Sequence, residues 1–280
     1  MTAPAPHHAP APPYKNYVSP IPVRRAHLGD ALTSEWTKIR SVRSTLWTLG
    51  VMVLLMLTIG LGVAAVATNS GESMGEESAL TFGFFGMLPA SICVITLGVL
   101  TIASEYGTGM IRTTLTACPS RARVLTAKAI VFFLLVFTVT TVVATLVAVV
   151  QVALVDGAAE PTGSEWLRAT VGAGAYLAVL GLLSLALGTL IRHSAGAITV
   201  MIGLLLLPLV AALFMFSETL RSVQEFLFTY AIPSQMIALY GDTPPFGDSG
   251  PAGWEPLLIM TAVAGAALAG AYAVLNSRDV

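Results

Sequence analysis

The stretch Ala129-Ile130-Val131-Phe132-Phe133-Leu134-Leu135-Val136-Phe137-Thr138-Val139-Thr140-Thr141-Val142-Val143-Ala144-Thr145-Leu146-Val147-Ala148-Val149-Val150-Gln151-Val152-Ala153-Leu154-Val155 carries no charge between Lys128 and Asp156. As a helix at about 1.5 Å per residue it is roughly 40 Å long, more than the roughly 30 Å hydrocarbon core of a bilayer requires. In lipid every backbone amide must bond within its own segment, so this run is read as a membrane-spanning helix. Five further apolar runs flank it, at about 46–67, 80–103, 170–191, 197–216 and 256–275. The expected fold is an all-α membrane protein with six transmembrane helices.

Composition agrees. Of 280 residues, 55% are hydrophobic and 10% charged, and mean hydropathy is +0.81. A soluble domain carries about 25% charged residues, so this chain has too few to cover a surface facing water. Residues 1–26 are rich in Pro and Ala and are expected to form a disordered cytoplasmic tail, with no signal-peptide pattern in them. His7 and His8 read as part of that solvated tail. Cys93 falls in a span and Cys118 in a polar loop, so both are expected to remain unpaired thiols.

Charge placement orients the spans. With the N-terminus inside, all but two of the 14 Lys and Arg fall on the cytoplasmic side; the exceptions are Arg168 and Arg221. The acids mirror this, with Glu72, Glu76, Glu77, Asp156, Glu160, Glu165, Glu218, Glu225, Asp242, Asp248 and Glu255 outside. Both termini are therefore expected in the cytoplasm. Arg192-His193-Ser194 leaves room only for a tight hairpin between the fourth and fifth spans. Gly174, Gly181 and Gly188, seven apart, share one face of the fourth, and Gly265, Ala266, Ala269 and Gly270 make small-xxx-small pairs in the sixth.

Two cytoplasmic segments are more than connectors. Leu28, Leu32, Trp36, Ile39, Val42 and Leu46 draw an apolar stripe at helical spacing, with Lys38, Arg40 and Arg43 largely off it and Asp30 and Glu35 near its start. A basic amphipathic helix of this kind lies in a membrane interface. The loop Ser104 to Arg123 reads as a turn at Gly107 and Gly109, a short helix from Met110 to Ala117, a stop at Pro119 and a cap at Ser120. Arg112, Arg121, Arg123 and Lys128 are either ordinary inside charge or part of a docking knob. Outside, Val223, Phe226, Leu227, Tyr230 and Ile237, with Pro233 and Pro244-Pro245, suggest one or two interfacial helices and a loop.

Enzymatic readings find little support. The three lysines, Lys15, Lys38 and Lys128, stand in no phosphate-binding Gly-x-x-x-x-Gly-Lys-Ser/Thr setting. His193 and Ser194 are adjacent on a turn with no orienting acid, and Glu76-Glu77 has no histidine near it. Glu105 could serve as a proton site, though it lies at a span end.

The stretch Glu35 to Leu49, Glu-Trp-Thr-Lys-Ile-Arg-Ser-Val-Arg-Ser-Thr-Leu-Trp-Thr-Leu, resembles the approach to the first span in actinobacterial ABC-2-type transporter permeases. The segment Ser-Glu-Tyr-Gly-Thr-Gly-Met-Ile-Arg from Ser104 to Arg112, with Pro119, Arg121 and Lys128 after it, resembles the segment following their second span. The resemblance implies that residues 27–280 form a permease domain in a bacterial inner membrane. Such a domain pairs with a second permease copy or paralogue and with a separate ABC-type ATPase. It further implies an ATPase-coupling loop of Glu105, Gly107, Gly109, Arg112, Thr113, Pro119, Arg121 and Arg123, and an elbow helix containing Glu35, Trp36, Lys38, Arg40 and Arg43. No cofactor is expected on this chain, ATP acting through the partner, and no nucleic acid. A pathway poor in charge suits hydrophobic or amphiphilic cargo in export. A non-transporting membrane anchor or regulator of a cytoplasmic partner would share these features.

Overall fold

A computed structural model describes residues 27–70, 78–118, 120–241 and 250–277. The Pro/Ala-rich tail, Pro119, Pro244-Pro245 and Arg278 lie outside the described residues. Eleven α-helices are described: α1 Leu28–Ser41, α2 Arg43–Ser70, α3 Gly83–Thr108, α4 Met110–Ala117, α5 Arg121–Leu154, α6 Gly163–Leu167, α7 Ala173–Ile191, α8 Ser194–Leu213, α9 Arg221–Tyr230, α10 Ile232–Ala238 and α11 Glu255–Ser277. Among the described residues six helical runs are long and apolar enough to cross a membrane, built on α2, α3, α5, α6–α7, α8 and α11. The chain is thus a multi-pass helical membrane protein.

Helix α7 is the most enclosed of the six and α3 the next, whereas α2, α5, α8 and α11 surround them and turn much of their surface outward. Close approach at glycine explains why α7 sits in the middle. A Cβ on Gly98 of α3 would collide with the Gly181 carbonyl and the Ser184 side chain, and one on Gly181 would collide with Phe132 of α5. Gly174 meets Thr141 of α5, and Gly188 lies against Val99 of α3. Lipid supplies no hydrophobic drive between helices, so backbones brought this close gain their stability from packing.

The corresponding expectation for α11 is corrected. Cβ atoms on Gly265 or Gly270 would meet nothing within 4 Å, and Gly265, Ala266 and Ala269 are exposed. Gly265, Ala266 and Ala269 therefore face outward, and α11 packs inward through Ala264 and Ala271 instead.

Further differences concern boundaries. The apolar stripe expected to run from Leu28 to Leu46 is broken at Val42, whose extended backbone separates α1 from α2. Helix α3 continues through Gly107 and ends at Thr108, so the turn is made by Gly109 alone, at φ 73°. Helix α4 has the expected bounds and the Ser120 hydroxyl accepts from the Arg123 amide as the expected cap, so α5 begins at Arg121, two turns before the apolar run. At the opposite end of the bundle, α9 exposes Val223, Phe226 and Tyr230 as an interfacial helix would. Helix α10 is instead packed inward, burying Pro233, Gln235 and Met236, so the outer segment contributes one surface helix and one core helix. Beside it Tyr240 lies buried, its hydroxyl 3.7 Å from the Met87 sulfur.

Candidate functional site

The end of the bundle that carries α1 and α4 contains a buried cluster of four charges. Glu35 and Lys38 stand three residues apart on α1 and so share a face. Glu105 comes from the last turn of α3 and Lys128 from the second turn of α5. Lys128 Nζ donates to Glu35 Oε2 at 2.7 Å and to Glu105 Oε1 at 2.6 Å. Lys38 Nζ donates to Glu35 Oε1 at 2.7 Å and to Glu105 Oε1 at 2.9 Å. Thr114 of α4 joins from below, its hydroxyl 3.4 Å from Lys38 Nζ and 3.5 Å from Glu105 Oε2. Each lysine thus touches both carboxylates, and four helices meet at one point.

Burial gives the cluster its weight. Lys128 is 1% exposed, and Glu35 and Glu105 are each 5% exposed. An ion buried this deeply persists only when opposite charge and hydrogen bonds replace its water, and removing one partner of such a pair costs about 3–5 kcal/mol. Burial alone lowers the pKa of Lys38, but its hydrogen bonds to Glu105 and Glu35 and their negative charge outweigh that, so it is raised. Lys38 therefore stays protonated throughout the neutral range.

Around the cluster the same end is cross-tied. Arg121 donates to the Leu275 carbonyl at 2.7 Å, occupying an acceptor that the C-terminal turn of α11 leaves open. Thr126 and Tyr272 share a hydroxyl hydrogen bond of 2.6 Å. Arg192 ends α7 in the left-handed region at φ 57° and stacks 5.1 Å from the centre of the Tyr106 ring. His193 then caps α8, its Nδ1 accepting from the Gly196 amide at 3.0 Å. Helices α1, α4, α5, α8 and α11 are all joined at or near the foot of α3 and α7.

Helix α4 hangs below this frame. Ile111 is buried and holds it, whereas Met110, Arg112, Thr113, Thr116 and Ala117 are exposed. Sequence-derived site residues consequently divide into three groups. Glu35, Lys38 and Glu105 come together in the cluster. Arg112 and Thr113 lie on the outer face of α4, and Arg40 and Trp36 on the outer side of α1, whereas Arg43, expected in the same helix, is exposed at the start of α2 beyond the break at Val42. Arg121 is spent on α11; Arg123 lies in the first turn of α5 and has a partner of its own. Gly107 is an ordinary helical position, and Pro119 falls outside the described residues.

Thr114 is not singled out by the sequence, and Lys128 reads there as inside charge or part of a docking knob, not as the centre of a buried cluster. For Lys128 a signal was available: a single lysine one residue before a long apolar run, on a side of the membrane where acids are scarce. Asp30, Glu35 and Glu105 are the acids of that side within the described residues, and two of the three bind Lys128.

The family model for "ABC-2 family transporter protein" matches residues 31–208. The chain belongs to the ABC-2 transporter family. The matched region begins inside α1 and ends in α8, so it contains the whole charge cluster, α4 and the central pair α3 and α7. Helices α9 to α11 lie beyond it. A search of curated proteins finds no match. As a member of this family the chain is a membrane permease of an ABC transporter, and membrane proteins of this family work with ABC-type ATPases.

Proposed function

We propose that this permease is the membrane subunit of an ATP-driven exporter and that α4 is its coupling helix, seated on a separate ABC-type ATPase. The observation that supports this best is the four-charge cluster. It binds α1, α3, α4 and α5 into one block directly behind the exposed face of α4. A push on a short, solvent-exposed helix moves a bundle only when that helix is stiffly joined to the spans. Here α4 follows α3 directly after Gly109, is held by buried Ile111 and touches the cluster through Thr114. Behind it buried ion pairs fasten α1, α3 and α5, and they resist separation because opening them would leave charges without partners in a medium of low dielectric. Arg112 and Thr113 supply the contact with the ATPase, and Lys128, Glu105, Glu35 and Lys38 transmit its movement.

In this reading both termini and α4 are cytoplasmic, α1 lies in the inner-leaflet interface with Trp36 toward lipid, and two permease copies or paralogues complete the pathway. ATP is bound by the ATPase, no residue of this chain takes part in bond chemistry, and the cargo is hydrophobic or amphiphilic. Reconstitution with the cognate ATPase tests the assignment. Arg112→Glu should abolish co-purification and permease-stimulated ATP hydrolysis while leaving the permease folded. Undiminished stimulation would overturn the role of α4.

A further inference from the structure

Beside the cluster, where α1 and α2 part at Val42, a cleft of about 310 Å³ opens against the last three turns of α3. It extends from Leu97 and Leu100 at the deep end to Thr108 and Met110 at the mouth, about 16 Å along the helix at 1.5 Å per residue. Its size is at the lower end for small-molecule sites. The deep end is apolar and the other carries Glu105 and Lys38, so the cleft is amphipathic along its length.

Four of the hydroxyls in the wall are already spent as donors. Thr48, Thr101, Ser104 and Thr108 each donate their hydroxyl hydrogen to the carbonyl four residues back on their own helix. What those hydroxyls retain is lone pairs. Lys38 has three acceptors, Glu35, Glu105 and Thr114, for its three N–H groups. Lys128 is 1% exposed and thus out of reach. Of the four carboxylate oxygens in the cluster, three receive lysine at 2.6–2.9 Å. The fourth, Glu105 Oε2, has only Thr114 at 3.5 Å, the limit of a hydrogen bond. Ser44 and Thr45 add two hydroxyls that can donate or accept, so what distinguishes the charged end is one under-occupied anionic oxygen. An anionic head would meet those hydroxyls beside two carboxylates, with the three N–H groups of Lys38 already given acceptors. A protonated amine meets a partner of opposite charge.

We propose that this cleft binds an alkylamine amphiphile, its ammonium on Glu105 Oε2 and its chain along Leu97 and Leu100. The shared chemistry is a primary ammonium on a hydrocarbon chain, whether a diffusible hydrophobic amine or an aminophospholipid of the leaflet. The site stands on its own geometry and does not require α4 to be a coupling helix.

Photolabelling of the full chain in phosphatidylglycerol nanodiscs, without any ATPase, tests it. Three probes share one diazirine-bearing dodecyl tail and differ in head: amine, alcohol or carboxylate. The amine probe should label residues 45–48 and 97–104 about tenfold more than the other two, as a charge-assisted hydrogen bond implies. Thr45→Phe with Ser104→Phe fills the middle of the cleft and should abolish that labelling. Glu105→Gln, checked for folding by size exclusion, should bring amine labelling down to the level of the alcohol probe. Competition by unlabelled dodecylamine supports the proposal with a diffusible amine as ligand; competition by phosphatidylethanolamine supports it with a leaflet lipid. Equal labelling by all three probes, indifferent to the filled cleft, would mean ordinary surrounding lipid and would overturn it. So would stronger labelling by the carboxylate.

Discussion

At the scale of single residues, Lys128 has the most consequence. It is among the largest fully buried side chains of the described structure and contacts two acids on two other helices. Lys128→Met should destabilise the α4 end by about 3–5 kcal/mol, because Glu35 and Glu105 would remain buried with half their compensation gone. Lys38→Met should cost less, since the Lys38 side chain is 27% exposed and water replaces part of what is lost. Thermal unfolding in nanodiscs would order the two. The pH dependence has a definite sign. Lys38 binds its proton more tightly in the folded protein than in the unfolded chain, so its contribution is complete below the usual lysine pKa of about 10.4 and lost as pH rises through the raised value. Stability should show no loss from this group between about pH 6 and 9 and should decline above that usual value; Lys38→Met should remove the alkaline decline. A wild-type decline that persists unchanged in Lys38→Met would assign it to another group. The charges themselves were visible in the sequence, but their pairing was not. Glu35 and Lys38 share a helix face by spacing alone, whereas Glu105 and Lys128 join them through contacts 67 and 93 residues apart along the chain.

At the scale of elements, helix existence followed from apolar length, and the bounds of α4 and the cap at Ser120 followed from local chemistry, but the end of α3 did not. Residues 104–108 look polar enough for loop, yet they are helical because Glu105 finds charge partners inside the bundle. Helix α10 was expected at the surface; Pro233 at its first turn and a polar Gln235 disguise a segment whose Met236 and Ala238 are buried. Glycine on its own is ambiguous in the same way. Gly181 and Gly265 both belong to small-residue patterns, but only Gly181 has a neighbour to press against. Gly181→Leu should therefore prevent assembly of α3, α5 and α7, seen as aggregation on size exclusion. Gly265→Leu should leave the monomer's melting temperature within about 2 °C, as surface changes do. Gly109 is needed for another reason. Its φ of 73° costs a side-chain-bearing residue about 1–2 kcal/mol, so Gly109→Val should redirect α4 and lower ATPase stimulation while the six spans survive, which protease sensitivity at residues 110–118 would report.

At the scale of the whole molecule, the protein is a central pair of helices, α3 and α7, gripped at close range, with a cross-tied frame at the α4 end and a partly covered opposite end. On the proposed function, such a body transmits a displacement of α4 to the spans, and that displacement comes from an ATPase. The most direct measurement is ATP hydrolysis by the cognate ABC-type ATPase co-reconstituted with the permease in proteoliposomes, comparing wild type with Arg112→Glu and Lys128→Met, each checked for folding by size exclusion. Arg112→Glu should lose stimulation because docking fails. Lys128→Met should keep co-purification with stimulation reduced at least about tenfold, because docking survives and transmission does not. Full stimulation by both variants would contradict this coupling.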